Sequence, residues 1–299
     1  MSSAHVSPLR YPGGKAKVGN FLKLVLVKNR LVGSEYVEPY AGGASVALSL
    51  LFEEYASHIH INDLNPGVFA FWSAVLEQGK ELRELILKTP VTIDEWHRQR
   101  SIYRDSSSVG LELAFSTFFL NRTNRSGIIS GGVIGGLEQT GPWKIDARYN
   151  REELAHRIAK VARFRSRISL TNLDAAQLLK DWLEPSDVRA LIYLDPPYFS
   201  SGNRLYDNYY EVIDHEVIAS LVVQLSHPWL VSYDAAPEII EMYAGNSQLR
   251  YKLRYSAAAR AEGSEVLVTS PDLELPSVDP ASVTTKMLAK ASSKLFALQ

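Results

Sequence analysis

Asp195-Pro196-Pro197-Tyr198 is the run of this 299-residue chain with the sharpest chemical meaning. It follows directly on the apolar stretch 190–194, whose pattern predicts a buried strand, and so stands at a strand's carboxyl end, where open α/β sheets bind ligands. Two consecutive prolines fix the backbone and remove two N–H donors, leaving carbonyl oxygens at a rigid turn. Such a corner suits a planar amine, whose nitrogen is a poor nucleophile because its lone pair is delocalised into the ring. An Asp195 carboxylate and the Pro196 carbonyl, both accepting the N–H hydrogens, would localise that pair and stabilise charge developing on nitrogen. Tyr198 would offer the ring a face to stack on. The competing reading is a structural Pro-Pro turn with an N-capping acid, and its place after a buried strand weighs against it.

Two further clusters carry chemistry. In the stretch 38–45, Glu38-Pro39-Tyr40-Ala41-Gly42-Gly43-Ala44-Ser45, glycines between a strand end and a helix start let a ligand approach the backbone and the helix N-terminus. Asp63 lies twenty residues beyond Gly43 at the end of the next predicted strand, where a nucleoside-binding sheet places the acid that holds ribose hydroxyls. Near the N-terminus, Arg10-Tyr11-Pro12-Gly13-Gly14-Lys15 reads as a tight turn presenting Lys15 to an anionic group; alone it is equally an exposed loop.

These residues need strands and helices to position them. Short β-rich runs alternate with helical patterns over 35–75 and again over 168–235, which predicts a parallel sheet with crossover helices. Strands are expected at 36–38, 58–62, 190–194 and 229–233, helices at 44–52 and 214–225, and a closing hairpin from strands 249–256 and 264–270. The middle differs: 76–167 shows helical patterns around a glycine-rich stretch, 127–141, that reads as a mobile loop. Asn150 with Glu153 predicts a capped helix start, and a short helix is expected near 284–296. The expected organisation is a discontinuous core, 1–75 and 166–299, around an insertion, 76–165.

Composition sets the limits. Hydrophobic residues are 46% and charged residues 22%, so a sizeable core can form and a disordered chain is excluded. The formal net charge is only −1, yet residues 121–167 hold ten Lys or Arg against four acids, a net of +6 that leaves −7 for the rest. No cysteine is present, which excludes disulfide scaffolds, thiolate zinc sites and thiol nucleophiles. Methyl transfer to carbon 5 of cytosine needs such a nucleophile; an amino acceptor remains open. No signal-peptide stretch opens the chain, and 21–32 is broken by Lys23, Lys28 and Arg30, so a cytoplasmic protein with no membrane span is expected.

Taken in order, Tyr11-Pro12-Gly13-Gly14-Lys15, Val37-Glu38-Pro39-Tyr40-Ala41-Gly42-Gly43, Asn62-Asp63-Leu64-Asn65, Leu120-Asn121-Arg122 and Asp195-Pro196-Pro197-Tyr198 resemble the DNA adenine-N6 methyltransferases of the Dam type, from about Leu9 to Ser270. The resemblance implies a Rossmann-like α/β core with an inserted, mostly helical target-recognition domain. It also implies an S-adenosylmethionine-dependent enzyme that flips adenine out of double-stranded DNA, needs no metal, and works beside a cognate restriction endonuclease or as an orphan. By that resemblance Asp195, Pro196, Pro197 and Tyr198 would be catalytic. Tyr11, Lys15, Glu38, Pro39, Tyr40, Gly42, Gly43, Asp63 and Asp174 would surround the cofactor. Arg122, Arg125, Ser126, Lys144 and Arg148 would meet DNA, with a solvated basic face as the competing reading. The loop reads Gly42-Gly43-Ala44 where the family more usually has Gly-x-Gly, and the run 128–137 departs from familiar members, so no target sequence is inherited. Methylation of cytosine N4, RNA or a protein amide, a silent DNA-binding module and a nucleotide-dependent dehydrogenase are the other readings.

Overall fold

A computed structural model describes residues 6–10, 18–184, 186–200, 210–254 and 262–296. Among the described residues seven strands form one sheet in the order β3-β2-β1-β4-β5-β7-β6. They are β1 (Ser34–Glu38), β2 (Ala56–Asn62), β3 (Ile168–Thr171), β4 (Ala190–Leu194), β5 (Trp229–Asp234), β6 (Ser247–Arg254) and β7 (Glu262–Thr269). The first five run parallel, while β7 enters antiparallel beside β5 and pairs with β6 as the expected hairpin. The Rossmann-like α/β fold implied by the sequence is therefore present.

Strand β4 shows why the sheet is buried on both faces. All five of its residues are buried, and they alternate: Leu191 and Tyr193 join one hydrophobic cluster, Ala190, Ile192 and Leu194 the other. Helices α1 (Gly19–Lys28), α2 (Ser45–Phe52) and α3 (Pro66–Glu77) cover the first face. The second is covered by α8 (Ala175–Asp181), α9 (Val212–Val222) and α10 (Pro237–Met242). Helix α9 begins at Val212 rather than 214 because Glu211 and Asp214 cap each other's backbone N–H groups. The C-terminal helix α11 spans Thr285–Phe296.

A mostly helical segment joins α3 to β3. It contains α4 (Gly79–Lys88), α5 (Ile93–Arg104), α6 (Gly110–Thr123) and α7 (Arg151–Arg163), the last capped by Asn150 as its sequence predicts. These helices share the core of the sheet: Trp96, Phe118, Leu154 and Ile158 belong to one continuous apolar cluster with Tyr36, Ile59 and Phe71. The 127–141 stretch, read from sequence as a mobile loop, is instead laced to the end of α6. The Asn124 amide donates to the Ile128 and Ile129 carbonyls at 3.0 and 2.7 Å and accepts from the Trp96 indole at 2.7 Å. Ile129 and Val133 sink into the core, and the glycines earn their places by positive φ at Gly127, Gly135 and Gly136.

Phe118 is fully buried and stacks on Phe71 with centroids 5.8 Å apart, joining α6 to α3. Phe118→Ala is expected to cost about 3–5 kcal/mol. Urea unfolding followed by circular dichroism and by tryptophan fluorescence should still give one coincident transition, because helices α4 to α7 and the sheet share a core.

Candidate active site

Because β1 to β4 are parallel, their carboxyl ends line one edge, and each end carries an acid. Glu38 ends β1, Asp63 follows β2, Asp174 follows β3 and Asp195 follows β4. The chain runs outward from β1 to β2 and β3, then crosses back to β4 on the other side of β1. The β1/β4 crevice is thus the point where strand order reverses, the place where doubly wound sheets bind ligands. Glu38, Asp195 and Asp63 lie within electrostatic reach of one another there, whereas Asp174 stands at the end of β3, two strands from β1.

The turn after β1 is held from several sides. Gly42 and Ala44 both adopt left-handed φ of 46°, so the position where Gly-x-Gly would place its second glycine takes the conformation glycine favours while carrying a methyl group. The Gly42 N–H donates to Asp63 Oδ2 at 2.7 Å, and the Trp72 indole donates to the Gly42 carbonyl at 2.9 Å. Asp63 Oδ1 accepts from the Asn65 N–H at 2.9 Å. Asn65 in turn caps α3. Asp63, expected to hold ribose, thus also anchors the glycine turn. Asn62 laces three strand ends: its Nδ2 donates to the Pro39 and Leu173 carbonyls, each at 2.9 Å, and its Oδ1 accepts from Thr171 Oγ1 at 2.8 Å.

Burial shapes the electrostatics of this edge. Glu38 is buried beneath the α2 N-terminus, accepting from the Ala47 N–H at 3.3 Å. Burial, and then the charge of Asp195, holds its carboxyl well above the ordinary carboxylate range. Burial likewise raises Asp63 to about 6, against the two N–H bonds that favour its charged form. Asp174 is exposed and caps α8 through the Ala176 N–H at 2.9 Å. Tyr40 packs edge-on against Tyr210, with hydroxyls 3.0 Å apart.

At the corner itself Asp195 is half-buried, while Pro196, Pro197 and Tyr198 are buried. Ser232 Oγ donates to Asp195 Oδ1 at 2.8 Å and lies 2.9 Å from the Tyr193 hydroxyl. The Tyr198 hydroxyl donates to Glu265 Oε1 at 2.6 Å, and Tyr251 donates to Glu265 Oε2 at 2.5 Å. Asp234 completes the turn by accepting from the Phe199 and Ser200 N–H groups at 2.8 and 2.9 Å. Sequence reasoning missed Ser232, Asp234 and Glu265. The available signal was Ser232 and Asp234 in the otherwise apolar strand β5 and Glu265 directly before the apolar run 266–268 of β7.

Of the candidates for DNA contact, Arg125, Ser126, Lys144 and Arg148 are exposed, whereas Arg122 is partly buried and donates from Nε to the Arg148 carbonyl at 2.7 Å. Burial and then the neighbouring Arg10 bring Arg122 down to about 9. The Arg148 guanidinium stands 5.9 Å from the ring of Trp143, a two-thirds-exposed residue that charge counting overlooked. Tyr11 and Lys15 lie outside the described residues. Among the described residues no cluster of His, Cys, Asp and Glu could hold a metal ion, and no helix is long and apolar enough to cross a membrane.

A glycine turn, a helix N-terminus and buried acids at the reversal of a seven-stranded sheet make a Rossmann-like nucleotide-binding edge. Residues 11–257 match the family model of D12 class N6 adenine-specific DNA methyltransferases, and the chain belongs to that family. It is therefore an adenine-specific DNA methyltransferase that uses S-adenosylmethionine. No curated protein matches the chain. Among solved structures, a candidate RNA methyltransferase from Pyrococcus horikoshii aligns with 87% of this chain and 85% of its own, at 9% identity and a TM-score of 0.41. A candidate class I S-adenosylmethionine-dependent methyltransferase from Listeria monocytogenes aligns over 93% and 69%, at 10% identity and 0.39. An rRNA methyltransferase from Streptomyces viridochromogenes aligns over 84% of each chain, at 14% identity and 0.35. Likeness this loose says nothing about what the chain acts on.

The raised Asp63 acidity has a signed consequence. Between its ordinary value of 3.8 and about 6 the folded chain holds a proton that the unfolded chain releases, so this group's contribution to stability falls as pH rises through that window. Asp63→Asn should flatten the fall: the difference in urea-unfolding free energy between the two proteins, measured from pH 4 to pH 7, should change across this range and level off above it.

Proposed function

We propose that the enzyme methylates N6 of an adenine swung out of double-stranded DNA, with the insertion 76–165 reading the site. The observation that carries this is the placement of Asp195 at the carboxyl end of β4, directly across the strand-order reversal from Glu38 and the glycine turn. The cofactor fits that edge. Gly42 and Gly43 bring backbone without side chains to the α2 N-terminus, while Glu38, Pro39, Tyr40, Asp63 and Asp174 ring the same strand ends. When bound, it supplies a methyl group on a sulfonium sulfur, which a nitrogen nucleophile can take in one displacement.

The chain's own part is to bind and orient the amine. Asp195 and the Pro196 carbonyl accept the two amino hydrogens, so the nitrogen lone pair is localised and the proton that must leave already faces a base. Pro197 keeps the corner rigid. Tyr198 supplies the stacking surface; the residue is only 7% exposed, so a base stacking there displaces what now covers it. Positioning then supplies much of the rate. Exposed Arg125, Ser126, Lys144 and Arg148 lie in the +6 segment and would meet phosphates or base edges, with partly buried Arg122 shaping that surface from beneath. The setting is cytoplasmic and on DNA, with or without a partner restriction endonuclease.

Asp195→Ala should abolish methyl transfer to unmethylated genomic DNA while leaving S-adenosylmethionine binding within a few-fold of wild type. Nucleoside analysis of DNA from expressing cells should yield N6-methyladenine; 4-methylcytosine alone would overturn the adenine reading. Arg125→Ala and Arg148→Ala should each weaken duplex binding and lower its salt slope by about one unit. Unchanged slopes would remove both from the interface.

A further inference from the structure

Behind the Asp195 carboxylate lies a hydroxyl pair that the amine-binding corner itself does not account for. Alternation along β4 puts Tyr193 and Asp195 on the same face. The β4/β5 register pairs Tyr193 with Leu230 and Leu194 with Val231, so the next step brings Asp195 beside Ser232. Both hydroxyl residues are fully buried in strands that pack on each face. Ser232 Oγ donates to Asp195 Oδ1 at 2.8 Å, and its oxygen lies 2.9 Å from the Tyr193 hydroxyl. A serine hydroxyl has one hydrogen; once that is directed at Asp195, Tyr193 must donate to Ser232.

We propose that Tyr193 and Ser232 are positioning residues, a two-step donor relay that fixes the Asp195 carboxylate in the orientation and charge state that accept the substrate amino group. This rests on the reading of Asp195 as the amine acceptor. The relay favours the ionised carboxylate, since each donor polarises the next. It also holds the plane of the carboxyl group, a degree of freedom that a lone Asp on a turn would retain. The surroundings make such support necessary: Glu38 from β1 faces Asp195 across the crevice, and the hydroxyls of Tyr36, Tyr233 and Tyr251 and the Glu265 carboxyl stand nearby on β1, β5, β6 and β7. An acid that carries its own proton makes a poor acceptor for an amine hydrogen, so a donor chain aimed at the carboxylate from the side away from the crevice keeps its free oxygen available as an acceptor.

The test is a double-mutant cycle with Tyr193→Phe, Ser232→Ala and the pair, assayed by labelled-methyl transfer to unmethylated genomic DNA, with Asp195→Ala alongside. Each single change should lower kcat roughly tenfold while the KM for S-adenosylmethionine stays within about twofold, Ser232→Ala by removing a hydrogen bond to a charged group and Tyr193→Phe by freeing Ser232 to turn away from it. The double variant should lose no more than the worse single, because the two act as one unit. Tyr193→Phe at wild-type kcat, or losses that multiply in the pair, would overturn the relay. Should Asp195→Ala retain activity, the reading of the corner itself fails; should Asp195→Ala be inactive and Tyr193→Phe normal, only the relay fails. Thermal melts of all variants separate loss of fold from loss of rate.

Discussion

The acid-lined edge of the sheet depends on β1 and β4 lying side by side and pointing the same way. That single pairing sets Glu38 and Asp195, separated by more than 150 residues of chain, within electrostatic reach of each other. It also places the glycine turn after β1 and the Pro-Pro turn after β4 on opposite lips of one crevice. Neighbouring acids in a poorly solvated place cannot easily both ionise, and burial together with Asp195 favours the protonated form of Glu38, while the Ser232 hydroxyl is aimed at Asp195.

The edge is stiffened from beneath by hydrogen bonds that run between strands rather than along them. Asn62 joins the ends of β1, β2 and β3, Asp63 ties the glycine turn to the α3 cap, and Asp234 ties the turn after Tyr198 to the end of β5. A sheet whose turns are each anchored to a neighbouring strand holds small groups at fixed separations, as in-line group transfer requires.

Much of this was legible in the sequence, for identifiable reasons. Strand ends announced themselves through Pro39, the Asp195-Pro196 junction and the Asn65-Pro66 break, and local punctuation of that kind survives folding. Relations between strands did not announce themselves. The Tyr193–Ser232 contact spans 39 residues and the Tyr198–Glu265 contact 67, and both depend on register, which no local pattern encodes. The same limit explains the 127–141 stretch. Its glycines suggested looseness, whereas its order comes from Asn124, whose amide reaches carbonyls that only the folded chain brings within range.

One junction bears on how such enzymes diversify. Asn121, fully buried on α6, donates to the carbonyl of Arg10 and accepts from its N–H, at 2.6 and 2.8 Å, and donates also to the Gly127 carbonyl. A β-carbon placed on Gly127 would come within 2.7 Å of the Arg10 carbonyl oxygen. The two backbones touch there, and no side chain intervenes to absorb a misfit. The segment between α3 and β3 is therefore not a detachable cartridge. A stretch transplanted there from a relative must bring its own asparagine and its own glycine, or the backbone at Arg10 loses its seat.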